Sequence, residues 1–173
     1  MVPVLKQDGR VRICGDFKVT INPVTLAEKY PVPRIEELLT KLSGGKRFTK
    51  LDLRDAYLQI RMHPQARKFV TINTPLGLFE YNRLPFGITS APALFQREIE
   101  NLLRGMKHVV VYLDDILITG TSDEDHVRNL ELVLGRLEEA GLRLKLEKRG
   151  RPEGAASGER EGAAKLFGPY KLL

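Results

Sequence analysis

The stretch VVVYLDDILIT, from Val109 to Thr119, is a run of β-branched and aliphatic residues with two adjacent carboxylates, Asp114 and Asp115, at its centre. Such a run predicts two short strands, VVVYL and ILIT, with the acidic pair where the chain turns. A purely structural turn favours Asn-Gly or Asp-Gly, because these residues tolerate a positive φ. Two like charges between buried strands cost free energy unless a cation compensates them. The pair therefore belongs either to a solvated turn or to a metal site.

A second acidic segment, LDLRDAY, lies upstream, with Asp52 at the end of a predicted strand and Asp55 three residues later. Strands that are neighbours in a sheet can bring Asp52 beside the Asp114–Asp115 hairpin. Carboxylate clusters suit Mg²⁺, and two such ions can activate an attacking hydroxyl and stabilise a leaving oxygen. From spacing alone, Asp52 is equally well explained as a strand-end residue in water. Asp55 is better explained as a helix N-terminal cap.

The composition is that of one folded domain, or of a piece of a larger one, with 173 residues of which 42% are hydrophobic. The net charge of +6 suits a polyanionic partner, although many basic proteins bind no nucleic acid. The single cysteine, Cys14, excludes an internal disulfide and indicates a reducing compartment. Because there is neither a long apolar run nor a signal-peptide pattern, we expect an intracellular protein, in the cytoplasm or the nucleus, with no membrane partner.

Helical and strand patterns are mixed along the chain. We predict helices over 34–42, 89–106 and from Ser122 to Gly141, with Pro33 in the first turn of the first helix. Strands are predicted in an N-terminal hairpin and at 46–53, 68–72, 78–82, 109–119 and 142–148. The segment RDAYLQIRM, residues 54–62, is ambiguous between a helical turn and a strand. The predicted core-facing helix positions are Ile35, Leu38, Leu39, Leu42, Ala93, Phe95, Ile99 and Leu102 or Leu103.

Other side chains have functional and structural explanations that spacing does not separate. Lys6 and Arg12 could grip a triphosphate, but surface charge on an edge hairpin explains them better. Tyr57 is either a core aromatic or part of a substrate pocket. The histidines lack metal-site spacing, and no P-loop, Gly-x-Ser-x-Gly or Cys-x-x-Cys motif is present. These absences argue against an ATPase, a serine hydrolase and a zinc protein.

Several ordered blocks resemble the reverse transcriptases of gypsy-type LTR retrotransposons: RVRICGDFKVTINPVT, YPVPRIEELLTKLSGGKRFTKLDLRDAYLQI, FGITSAPALFQREIENLL and VVVYLDDILITG. The resemblance runs from Val4 to Lys148, and YLDD matches the Tyr-x-Asp-Asp signature of that family. It implies an α/β (α+β) fold, namely a polymerase palm with an antiparallel sheet backed by helices, plus a partial fingers subdomain. Residues 1–148 would be this fingers and palm fragment, and 149–173 a Gly-rich, disordered tail unrelated to the family.

The resemblance also assigns roles to individual residues. It implies that Asp52 and Asp114 bind Mg²⁺ directly, with Mn²⁺ as a possible substitute, and that Asp115 supports them. The residues it places around the incoming nucleotide and the template are Lys6 and Arg12 at the phosphates, Tyr57 at the sugar 2′ position, Phe86 in LPFG, Gln96, and Lys148 near the phosphates.

The implied activity is that of an RNA-directed DNA polymerase. The chain itself would be a fragment of a retrotransposon pol polyprotein. Its partners would be an RNA or DNA template-primer and deoxynucleoside triphosphates. The family continues beyond the last strand with a thumb, a connection and RNase H, which the Gly-rich tail does not resemble. A catalytically inactive retroelement remnant that binds nucleic acid weakly is therefore the alternative. A nucleotide cyclase also uses paired carboxylates, but the LPFG and fingers blocks argue against it.

Overall fold

The computed structural model describes residues 2–5, 9, 11–26, 30–31 and 33–145. Lys6, Lys148 and the predicted tail lie outside these residues. The chain divides into two compact units: unit 1 comprises Met1–Val32 and Arg54–Leu102, and unit 2 comprises Pro33–Leu53 and Leu103–Leu173. No helix in the described ranges is long and apolar enough to cross a membrane.

The three predicted helices and the predicted strands before the last occur in the predicted order, and a short helix that the pattern did not predict lies at Pro64–Arg67. The elements are β1 (Val2–Leu5), β2 (Val11–Cys14), α1 (Ile35–Leu42), β3 (Arg47–Asp52), a 3₁₀ turn (Ala56–Gln59), α2 (Pro64–Arg67), a second 3₁₀ turn (Lys68–Val70), β4 (Thr71–Thr74), β5 (Gly77–Glu80), α3 (Ala91–Leu102), β6 (Val109–Tyr112), β7 (Asp115–Gly120) and α4 (Asp123–Glu139). All the strand pairs are antiparallel. The mixed α/β fold class with antiparallel sheets is confirmed.

Unit 2 is built on a three-stranded sheet in the order β3-β7-β6. All six residues of the central strand β7 are buried, which requires cover on both faces because successive side chains point in opposite directions. On one face, Leu117 packs with Leu38 and Leu42 of α1. On the other, the backbone of His126 in α4 lies against Gly120. The two helices therefore hold the sheet between them.

Helix α4 begins where the sequence predicts. The hydroxyl of Ser122 accepts a hydrogen bond from the Asp125 amide at 3.2 Å, which caps the helix. The Asp125 carboxylate in turn accepts hydrogen bonds from the amide and hydroxyl of Thr121. These reciprocal bonds fix the end of β7 relative to the start of α4.

Unit 1 contains the hairpins β1–β2 and β4–β5 and the helix α3. Phe95 and Ile99 of α3 are buried, as the helical periodicity predicts. The ambiguous segment after Asp52 forms a 3₁₀ turn rather than a strand. Asp55 occupies its N-cap position with φ +53°, but its side chain makes no capping hydrogen bond, so the predicted capping role is wrong. An Asp can adopt this left-handed conformation more easily than most residues.

Two boundaries differ from the prediction. Pro33 precedes α1, whose N-cap is Arg34, so the proline lies just outside the first turn. In the predicted strand 142–148, the described part forms a single bridge between Leu144 and Leu53. The Lys145 amide continues this contact by donating to the Asp52 carbonyl at 2.8 Å.

Candidate active site

The predicted acidic residues come together at one end of the unit 2 strands, where β3 ends and β7 begins. Strand β3 ends at Asp52 and β7 begins at Asp115, and these two residues are directly opposite each other in the register. Asp114 lies in the turn that leads from β6 into β7, and its carbonyl accepts a hydrogen bond from the Leu53 amide at 3.3 Å. Antiparallel pairing therefore places residues from two distant parts of the sequence side by side.

The β6–β7 turn has an unusual backbone. Leu113 has φ +52°, in the left-handed region that disfavours side chains with a Cβ. A glycine would adopt this conformation without strain, yet the sequence carries leucine. Hydrogen-bonded strands on both sides of the turn hold the strained residue in place. Such strain is typical of functional sites.

Each of the paired carboxylates has a lysine partner. The Lys50 ammonium lies 2.7 Å from Oδ2 of Asp115, which is only 5% exposed. The Lys145 ammonium lies 3.2 Å from Oδ2 of Asp52, in a more exposed position. Lys50 reaches Asp115 because it lies two residues before Asp52, on the same face of β3.

The electrostatics of Asp115 reflect this arrangement. Burial raises the pKa of the Asp115 carboxyl above its ordinary value. The hydrogen bond and charge of Lys50 oppose this rise in pKa, whereas the nearby charge of Asp52 adds to it. The net shift of the pKa is upward, so ionised Asp115 is less stable in the fold than in water.

The donor atoms fit a hard divalent cation. Asp52, Asp114 and Asp115 offer only carboxylate oxygens, which is the chemistry that Mg²⁺ prefers. In the part of the chain that the structure describes, no three His, Cys, Asp or Glu side chains converge as a metal-binding group. The carboxylates of Asp52 and Asp115 point to lysines instead.

Unit 1 brings together three of the residues predicted to contact a nucleotide. The guanidinium carbon of Arg12 lies 4.3 Å from the centre of the Phe86 ring. The rings of Phe86 and Tyr57 are 5.1 Å apart, and Tyr57 meets Phe95 edge-on at 5.4 Å. The result is a cationic and aromatic cluster that links β2 to α3.

The loop that carries Phe86 is fixed by a clamp within unit 1. The side chain of Asn22 donates to the Gly87 carbonyl at 2.9 Å and accepts from the Thr89 amide at 3.0 Å. Gly87 has φ +101°, and a Cβ there would lie 2.1 Å from the Gly15 carbonyl oxygen. Only glycine fits, so the LPFG block has a structural reason for its last residue.

A cavity of about 450 Å³ adjoins Arg12 in unit 1. It is lined by Val11, Arg12, Ile13, Asp55, Leu58, Ile72, Phe79, Glu80 and Tyr81. The Nε atom of Arg12 is buried and has no hydrogen-bond partner among the described residues. The volume of this cavity is in the range of small-ligand pockets.

Gln96 has a different environment. It is fully buried in α3, and its amide donates to Glu100 at 2.7 Å. The Tyr30 hydroxyl donates to the other oxygen of the same carboxylate. The role of Gln96 beside the nucleotide or template stays a prediction, as do the roles of Lys6 and Lys148.

Sequence reasoning did not identify Lys50 and Lys145 as site residues, nor Asp55 as a cavity residue. For Lys50 a signal existed, since it lies two residues before a candidate carboxylate in a predicted strand. Lys145 gave no local signal, because its contact with Asp52 depends on how a distant segment meets the end of β3.

Comparisons with known proteins give one consistent result. A profile described as reverse transcriptase (RNA-dependent DNA polymerase) matches residues 4–150. The Retrovirus-related Pol polyprotein from transposon 297 of Drosophila melanogaster is 39% identical over 142 residues, 81% of this chain and 13% of that protein. The Transposon Tf2-3 polyprotein of Schizosaccharomyces pombe is 42% identical over 141 residues, 80% of this chain and 10% of that protein. The chain thus spans 10% to 13% of the length of these relatives.

Solved structures extend the likeness to the fold. The foamy viral protease-reverse transcriptase in complex with double-stranded DNA matches 82% of this chain and 25% of its own, with a TM-score of 0.75 and 26% identity. The same kind of enzyme in complex with an RNA/DNA hybrid matches 84% of this chain and 20% of its own, with a TM-score of 0.74 and 26% identity. The predicted polymerase fold is confirmed.

Proposed function

Because this chain belongs to the reverse transcriptase (RNA-dependent DNA polymerase) family, we propose that it is the polymerase core of a retrotransposon pol polyprotein. It would extend a primer along an RNA or DNA template by adding deoxynucleotides. The observation that carries the proposal is the register that sets Asp52 opposite Asp115, with Asp114 in the adjoining turn.

The reaction needs little covalent chemistry from the protein. The primer 3′-oxygen forms a bond to the α-phosphorus of the nucleotide, and the bond to the bridging oxygen breaks to release pyrophosphate. Asp52 and Asp114 would hold Mg²⁺ with Asp115 in support, and the metal would neutralise charge on the reacting oxygens. The contribution of the chain is to hold these carboxylates on rigid strands, so that most of the rate gain comes from positioning and electrostatics.

Arg12, Phe86 and Tyr57 are proposed to receive the nucleotide in unit 1. The guanidinium group of Arg12 would contact a phosphate oxygen, and its ring contact with Phe86 restricts the orientation of that group. Tyr57, packed against Phe86 and Phe95, would limit the space at the sugar 2′ position. The family resemblance supports three further contacts. Lys6 and Lys148 would lie at the phosphates, and Gln96 near the template.

A template-primer duplex is the proposed macromolecular partner. The net charge of +6 favours a phosphate backbone, and two of the structural relatives are complexes with double-stranded DNA and with an RNA/DNA hybrid. We further propose a gypsy-type LTR retrotransposon as the source, from the order and spacing of the sequence blocks, and an intracellular setting.

Primer extension on an RNA template tests the proposed activity. The 173-residue chain would be compared with Asp114→Asn and with Asp123→Asn, which removes an exposed acid of α4 in the same unit. We expect Mg²⁺- or Mn²⁺-dependent extension by the parent and by Asp123→Asn, and a loss of at least about 100-fold in Asp114→Asn. Circular dichroism would establish that all three are folded.

No extension by a folded parent with either metal would contradict the proposed activity. Binding of the template-primer by the same sample would then favour the alternative, an inactive remnant that retains weak nucleic-acid affinity.

A further inference from the structure

The ion pair between Lys50 and Asp115 occupies the most buried of the acidic positions at the sheet edge. Asp115 is 5% exposed, whereas the Lys50 side chain is 34% exposed. A buried carboxylate needs a cation or hydrogen-bond donors to offset its lost hydration. The Lys50 ammonium, 2.7 Å from Oδ2, supplies that charge.

We propose that Lys50 is the resident counter-cation of Asp115, and that a divalent metal held by Asp52 and Asp114 competes with its ammonium group for the charge of the Asp115 carboxylate. The inference rests on the proposed function, since it concerns the same carboxylates. Both cations would neutralise the same carboxylate, so the ion pair with Lys50 weakens binding of the metal, and binding of the metal weakens the ion pair. Lys50 would thereby keep the empty site folded and set the metal concentration at which it fills.

The geometry of Lys50 suits a cation that leaves. Its four-carbon stem is flexible, and a third of the side chain already contacts solvent, so the ammonium can withdraw into water. Lys145 makes a similar contact with Asp52, but that pair is more exposed and is expected to contribute less. Lys50 is therefore a positioning residue and not a catalytic one.

Lys50→Met tests this competition, because methionine keeps the apolar stem and removes the charge. Without metal, we expect the urea midpoint of unfolding to fall by on the order of 0.5 M. With Mg²⁺, the variant should regain this loss, because the metal supplies the positive charge that Lys50 no longer provides. The Mg²⁺ midpoint, defined as the dissociation constant fitted to the growth of stability with Mg²⁺ concentration, should fall about tenfold, as reciprocal coupling between two cations requires.

The measurement is urea unfolding, followed by circular dichroism, over a Mg²⁺ series at constant pH and ionic strength. Lys46→Met removes an exposed lysine just before β3 and should leave the Mg²⁺ midpoint unchanged. Lys50→Arg retains the charge and should restore both the metal-free stability and a midpoint near that of the parent. Direct Mn²⁺ binding, followed by its electron paramagnetic resonance signal, gives a second readout that needs no enzyme activity.

The outcomes separate this inference from the proposed function. If Mg²⁺ and Mn²⁺ stabilise neither the parent nor Lys50→Met, the metal site itself fails, and the competition fails with it. If both chains bind metal with the same midpoint, the metal site stands and the role of Lys50 is overturned. If Lys50→Met does not fold, Lys50→Gln, which keeps a hydrogen-bond donor without the charge, carries the same expectations.

Discussion

At the scale of single residues, the proposed function and the stability of the fold make opposite demands on Asp115. The proposed reaction needs an ionised carboxylate, but burial raises the pKa of this group, and the charge of Asp52 adds to the effect. A group whose pKa is higher in the folded than in the unfolded chain costs stability when it is ionised. Lys50 offsets only part of that cost.

Asp115→Asn should therefore stabilise the metal-free chain at pH 7, because the amide has no charge to desolvate and the Lys50 ammonium can turn to solvent. The cost of the parent carboxylate is absent below the pKa that Asp115 has in the unfolded chain and is complete above its higher pKa in the folded chain. The advantage of the variant should accordingly shrink as the pH falls from 7 towards 4. Urea unfolding of both chains across this range checks the sign, and a less stable variant or a pH-independent difference would contradict it.

Asp123→Asn is the matched comparison with the opposite sign. The hydrogen bond and charge of Arg47 lower the pKa of Asp123. Its contribution to stability is present above the unfolded pKa and is lost as the pH falls through the folded value. Removing this carboxylate should therefore lower the stability at neutral pH, and the loss should disappear as the pH falls.

At the scale of elements, the β6–β7 turn is the point where local strain and the candidate site coincide. Leu113 has φ +52°, which disfavours every residue with a Cβ. Leu113→Gly and Leu113→Ala both remove the leucine side chain beyond Cβ, and they differ only in whether the Cβ atom itself is present. We expect the glycine variant to be the more stable of the two by about 1 kcal/mol, measured by urea unfolding.

The same pair of substitutions at Leu132 provides the control. Leu132 is exposed within α4, where glycine is disfavoured relative to alanine by about 1 kcal/mol. The order of stability should therefore reverse between the two positions. An alanine variant at residue 113 as stable as the glycine variant would show that the turn relaxes and stores no strain.

The sequence predicted those elements whose signals are local. The β-branched run around Asp114 gives the β6–β7 hairpin, and Ser122 followed by acids gives the start of α4. The segment 142–148 was predicted as a strand from its alternation, but its described part contributes one bridge, to Leu53. Alternation indicates a half-buried extended chain and does not say how much of a partner strand is available to it.

The candidate site was only partly predictable for the same reason. The carboxylates stand out as charges inside apolar runs, so their types and approximate position followed from the sequence. The ion pair of Lys50 with Asp115 depends on the register between β3 and β7, which are distant in sequence. A shift of one residue would move Lys50 to the other face of the sheet.

At the scale of the whole molecule, the net charge of +6 should govern affinity for nucleic acid. Phosphate contacts release counterions, so the logarithm of the binding constant falls linearly with the logarithm of salt, with a slope of about −0.9 per contact on duplex DNA. If this chain makes three such contacts, its affinity for a template-primer duplex should fall about 40-fold between 50 and 200 mM KCl. Fluorescence anisotropy with a labelled duplex measures the slope, and an uncharged peptide nucleic acid of the same sequence should not bind. Salt-independent binding would mean that base or groove contacts outweigh the charge of the chain.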